Sequence, residues 1–126
     1  MPAVSRLAWA QAYPSRPVRL IVPIAPGGAS DITARLIGQW LSERLGQPFI
    51  IENRPGAGNN IGTEAVVRAP ADGYTLLLCG TSNATNATIY DKLNFNFIRD
   101  IAPVASISRE TTVMVVHPSF PAKTVP

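Results

Sequence analysis

A chain of 126 residues, 46% apolar and 15% charged, has room for one small domain or a piece of a larger one, and is too hydrophobic to stay disordered. Its net charge of +3 is modest, and its arginines are scattered from Arg6 to Arg109 rather than gathered into the basic face that nucleic-acid binding needs. A single cysteine, Cys79, excludes an internal disulfide and any zinc site built from cysteine pairs, and no run approaches the roughly 18 apolar residues that cross a bilayer.

Leu7-Ala-Trp-Ala-Gln-Ala12 has small residues at the spacing of a secretory cleavage site, with Ala10 or Ala12 as the candidate last residue. The basic and long apolar regions that should precede it are missing. The segment fits either the stub of a signal peptide or a flexible leader. After Pro14 and Pro17, Val18 to Pro23 reads as a strand with no sustained alternation, as expected when both faces are covered. Pro26-Gly27-Gly28 is a turn, and Ser30 or Asp31 can cap the helix that follows. From Asp31 to Leu45 the apolar residues Ile32, Leu36, Ile37, Trp40, Leu41 and Leu45 recur at helical spacing, and Gly46 stops the helix. Burying the apolar residues from Ile32 to Leu41 on a sheet would contribute roughly 1.5–3 kcal/mol each.

A second strand runs from Phe49 to Glu52, followed by a turn from Pro55 to Asn60 and a short helix from Ile61 to Arg68. Asp72-Gly73 turns the chain into a buried-type strand, Tyr74 to Cys79. Gly80 to Asn86 reads as a polar loop, Asn86 to Leu93 as a short helix, and Ala102 to Ile107 and Thr112 to Val116 as two further strands. The order β-α-β-α-β-α-β-β implies an α/β fold, a mainly parallel sheet with helices on both faces.

In such a sheet, ligands bind beyond the C-terminal ends of the strands. Three loops rich in Gly, Asn, Ser or Thr occupy that edge: Ala25 to Asp31, Asn53 to Asn60 and Gly80 to Asn86. A strand, a glycine turn and a helix N-terminus together leave N–H groups unpaired at the positive end of a helix dipole, which suits a small anion. Glycines that merely serve tight turns are the competing explanation, stronger for either turn taken alone. Gly56-Ala-Gly-Asn-Asn-Ile-Gly62 departs from the dinucleotide fingerprint, and the first turn has no GK[ST], so neither motif marks a nucleotide site.

Asp31 could orient a loop, bind a ligand amine or cap a helix, and in isolation the cap is the simplest role. Thr81, Ser82 and Asn83 could donate to a carboxylate or form a local turn. Cys79 reads as a small buried hydrophobe, His117 as exposed and idle, and Glu52 and Glu64 form no evident acid/base pair. No His/Cys/carboxylate spacing resembles a metal site, and no residue pattern specifies catalysis or a cofactor.

Several motifs in order carry a resemblance: Tyr13-Pro-Ser-Arg-Pro-Val-Arg-Leu-Ile-Val-Pro23, Pro26-Gly-Gly-Ala-Ser-Asp31, Glu52-Asn-Arg-Pro-Gly-Ala-Gly58, Asn60-Ile-Gly62, Asp72-Gly-Tyr-Thr-Leu76 and Pro121-Ala-Lys-Thr-Val125. Over residues 13–126 the chain resembles the N-terminal part of the tripartite tricarboxylate transporter receptors, the Bug family of periplasmic solute-binding proteins. The resemblance implies a two-lobed type II periplasmic-binding-protein (Venus-flytrap) fold closing over a small organic carboxylate, which is captured in the periplasm and delivered to membrane permease subunits. Carried over, Gly28 and Ala29 would supply backbone groups with Asp31 nearby. Thr81, Ser82 and Asn83 would supply side-chain contacts, with Asn59 and Asn60 as further candidates.

Family members are more than twice this length. The resemblance therefore implies an incomplete first lobe over residues 13–117, after a leader over residues 1–12, with residues 118–126 starting the crossover to a second lobe. Two other functions compete: a truncated, nonfunctional receptor remnant, and a small α/β enzyme using phosphate or nucleotide at the glycine turns. A truncated lobe would also leave an unpaired sheet edge and bind its ligand weakly, and the incomplete signal segment leaves export open.

Overall fold

A computed structural model describes residues 12–109, 111 and 113–121. Most of the leader, Thr112, and residues 122–126 after the start of the Pro121 motif lie outside them. Strand β1 (Val18–Val22) is the centre of a three-stranded parallel sheet of order β2-β1-β3, with β2 at Phe49–Asn53 and β3 at Thr75–Leu77. Val18 pairs with Phe49 and Val22 with Asn53 on one side, and Arg19 pairs with Thr75 and Ile21 with Leu77 on the other. Val18, Ile21 and Val22 are completely buried although they point to both faces, which is why the strand lacks alternation. Beyond β3, the Leu78 N–H still donates to the Ile21 carbonyl at 2.9 Å.

Helix α1 (Ala29–Leu45) covers one face and ends at Gly46, whose φ of 71° turns its N–H back to the Ser42 carbonyl. Ala34 packs on Leu20 and Val22, with Ile24, Ile51, Leu76 and Leu78 around them. The face that packs differs from the one the apolar spacing suggests. Asp31, Ala34 and Gly38 are buried, while Ile32, Leu36 and Trp40 are 54%, 65% and 55% exposed. The cause is close approach: a Cβ at Gly38 would stand 2.8 Å from Ile51 Cδ1, so the helix lies against β2 on its small residues.

Helix α2 (Asn60–Val67) covers the opposite face, with Gly62 against Pro23 and the Arg54 carbonyl. The connection from β1 to β2 moves one way, and the connection from β2 to β3 passes back across β1. Right-handed crossovers in opposite directions put the two helices on opposite faces and make the C-terminal ends of β1 and β3 a topological switch point.

Helix α3 spans Thr81–Ile89, where the sequence suggests a loop before a later helix, and a short α4 spans Phe97–Asp100. The α3 inner face is polar: Asn83 and Asn86 are buried and hydrogen-bonded, so hydrophobic spacing gives no sign of it. The two strands expected at Ala102–Ile107 and Thr112–Val116 are absent among the described residues. A strand needs a neighbour, and here the apolar side chains stand in solvent, Val104 82% and Val115 84% exposed. No described helix is long and apolar enough to cross a membrane.

Candidate functional site

The first intrahelical bond of α1 runs from the Ile32 N–H to the Gly28 carbonyl, at 3.0 Å. Ala29, Ser30 and Asp31 therefore have N–H groups with no acceptor inside the helix; in α3 the Asn83 N–H already donates to the Gly80 carbonyl at 3.1 Å, which leaves Thr81 and Ser82 in that condition. Both helices begin where a strand ends at the switch point, α1 after β1 and α3 after β3. A cavity of about 480 Å³ lies there. Its walls are Pro23, Ile24, Ala29, Ser30 and Thr33 from the first unit, Leu77 to Asn83 from the third, Asn59 from the second turn, and Ala105 to Ser108.

No charged side chain is among the described residues lining this cavity. What it offers is hydroxyls, amides and backbone N–H groups at two helix N-termini. Such a site can receive an anion through dipoles and hydrogen bonds. No group of His, Cys, Asp and Glu suited to a metal ion exists among the described residues.

Of the residues singled out from sequence, Ala29, Asn59, Thr81, Ser82 and Asn83 line the cavity, while Gly28, Asp31 and Asn60 do not. Asp31 is buried behind the first turn. Its Oδ2 accepts from the Gly27 N–H at 2.9 Å and from Arg35 Nε at 3.0 Å, and its Oδ1 accepts from Asn53 Nδ2 at 2.9 Å. The Arg35 guanidinium foremost, then the Gly27 N–H and the Asn53 amide, hold the Asp31 carboxyl down at about 2. Asn53 Nδ2 also reaches the Ile24 carbonyl at 3.2 Å, so this cluster ties the first turn to the end of β2. Asp31 does not cap α1 with its side chain, and neither does Ser30.

A second polar cluster docks α3 against the second turn. Asn83 Oδ1 accepts from the Gly80 N–H at 2.9 Å, while its Nδ2 donates to Thr63 Oγ1 at 2.7 Å. Thr63 in turn donates to the Asn59 carbonyl at 2.9 Å. Asn86 Nδ2 donates to Asn60 Oδ1 at 2.9 Å and to the Gly58 carbonyl. Asn60 thus sits under the site as a support, and Asn83 both lines the cavity and fixes its wall.

Sequence reasoning missed Thr33, Ser106 and Ser108 as lining residues. The proximity of residues 105–108 is a tertiary fact with no local signature, whereas Thr33 lies one helical turn beyond Ala29. Cys79 is exposed on the cavity wall rather than buried. His117 is exposed, as expected, but it has a neighbour two residues on, with Ser119 Oγ 2.7 Å from its Nδ1.

A profile of the tripartite tricarboxylate transporter family receptor matches residues 33–126. The chain belongs to this family. It is 45% identical over 116 residues to a UPF0065 protein of Bordetella pertussis, covering 91% of this chain and 36% of that relative. Among solved structures it is similar to MatC from Rhodopseudomonas palustris with bound malate, at 37% identity and a TM-score of 0.65, over 70% of this chain and 30% of that one. An R. palustris protein with adipate is 41% identical with a TM-score of 0.65, over 68% of this chain and 29% of that one. The chain spans about a third of the length of the curated relatives it matches. Members of this family are periplasmic solute-binding receptors, not enzymes. The α/β architecture with a parallel sheet agrees with these neighbours.

Proposed function

We propose that this chain carries part of the ligand-gripping surface of an extracytoplasmic receptor for a small organic di- or tricarboxylate. The observation that supports it most is the meeting of two helix N-termini, those of α1 and α3, at one hydroxyl-lined cavity on the switch point of the sheet. One ligand carboxylate is received there by N–H groups of the first turns and by the hydroxyls of Thr81 and Ser82. Ala29, Asn59 and Asn83 shape the wall. Gly28, Asp31 and Asn60 hold the turns from behind. Relatives carrying malate and adipate support the ligand class. The periplasm is the proposed compartment, and permease subunits of a tripartite tricarboxylate transporter are the proposed partners, both on the strength of the family.

Isothermal titration calorimetry of the chain against malate, adipate and citrate, with ATP and NAD alongside, tests this. Saturable uptake of at least one carboxylate and neither nucleotide is the expected outcome. Nucleotide binding with no carboxylate binding would favour the phosphate-using enzyme instead.

A further inference from the structure

Asn59 has backbone angles of φ 79° and ψ 0°, in the left-handed region that favours glycine. Ala57, at φ 46°, is the other non-glycine residue with positive φ among the described residues, and both lie in the second turn. The Asn59 backbone is already used: its N–H donates to the Gly56 carbonyl at 3.0 Å, and its carbonyl accepts from Thr63. Its side chain caps nothing on its own helix. It crosses instead to the third unit, where Nδ2 stands 2.7 Å from Ser82 Oγ. Both residues are half-buried and both line the cavity.

A serine hydroxyl has one proton to give and room to accept. Once Ser82 Oγ accepts from Asn59, its own proton needs a different acceptor. Among the described residues Ser82 Oγ makes no second hydrogen bond. The unpaired backbone groups of the α3 first turn are N–H donors, which cannot take that proton. We propose that Asn59 is a positioning residue, whose amide holds the Ser82 hydroxyl so that its proton is directed to a ligand carboxylate in the cavity. This rests on the carboxylate-receptor function proposed above and adds a residue that determines how tightly the carboxylate is held.

Asn59→Gly is the informative variant, because glycine adopts these backbone angles freely and loses only the amide. Malate and adipate are titrated into the wild-type chain, Asn59→Gly, Ser82→Ala and the double variant, with melting followed for each. The expected result is about fivefold weaker binding for each single variant, and no further loss in the double variant. The Asn59→Gly melting curve stays close to wild type. Ser82→Ala leaves Asn59 in place, so it reads the same hydrogen bond without touching the turn. Wild-type binding with equal affinity in Asn59→Gly overturns the proposal alone. Tighter binding by Asn59→Gly also overturns it, since the amide would then be accepting the Ser82 proton and withholding it from the ligand. Losses that add in the double variant overturn the coupling. A wild-type chain that binds neither of these acids nor citrate overturns the receptor function, and this proposal with it.

Discussion

Asp31 is buried with three donors on its carboxylate, and this combination decides what it does to the stability of the fold. An ordinary aspartate in the unfolded chain titrates near pH 4, whereas here the carboxyl is held at about 2. The folded pKa is depressed, so the stabilisation is fully present above about pH 4 and is lost as the pH falls toward 2. Asp31→Asn should therefore melt below wild type at pH 7, and the gap should close between pH 4 and pH 2. Glu52, Glu64 and Asp100 are also held below the usual carboxylate range, chiefly by hydrogen bonds from Arg19, Arg68 and Arg99. Their contribution is common to both proteins, so the difference between two melting profiles followed by circular dichroism isolates Asp31. A gap of constant size from pH 7 to pH 2 would contradict this role. Sequence alone leaves Asp31 open between cap, orienter and ligand group: Arg35 is its i+4 neighbour on the same helix, but Asn53, 22 residues on, is brought to it only by folding.

Among the secondary-structure elements, α1 and α2 both approach the sheet on glycines. A Cβ at Gly62 would stand 2.8 Å from Pro23 Cβ and 2.9 Å from the Arg54 carbonyl, and backbone cannot move aside as a flexible side chain can. Gly62→Ala should destabilise the chain by about 1–3 kcal/mol in urea denaturation. Ile32→Ala, on the outer face of α1, should change stability by less than about 0.5 kcal/mol. The reverse ranking would show that α1 packs on its large residues. β1, β2, α1 and α2 are legible in the sequence because apolar runs are punctuated by proline and glycine at their ends. The orientation of α1 is not, because Ala34 and Gly38 are small and the apolar spacing is carried by residues on the far side. Nor is α3, whose inward side chains are asparagines satisfied by Thr63, Asn60 and Gly58 from another part of the chain. The expected strands after residue 101 fail for a related reason: their apolar residues are real, but pairing is not a local property.

For the molecule as a whole, the strand order β2-β1-β3 accounts for where the proposed site lies. Opposite crossovers leave a crevice beyond the C-terminal ends of β1 and β3, and each strand there delivers its chain into a helix N-terminus. The glycine-rich turns announce this edge in the sequence, but only folding shows that Ala105 to Ser108 form another wall of the same cavity. The central claim is that a carboxylate is held at this point rather than elsewhere on the surface. An amide-resolved NMR titration of the chain with malate tests it most directly. Saturable shifts are expected at residues 29, 30, 33, 59, 79–83 and 105–108, with the outer face of α1 (Ile32, Leu36 and Trp40) and the Arg16–Asp72 pair silent. Shifts centred on those silent regions, or none at all up to saturating malate and adipate, would contradict it.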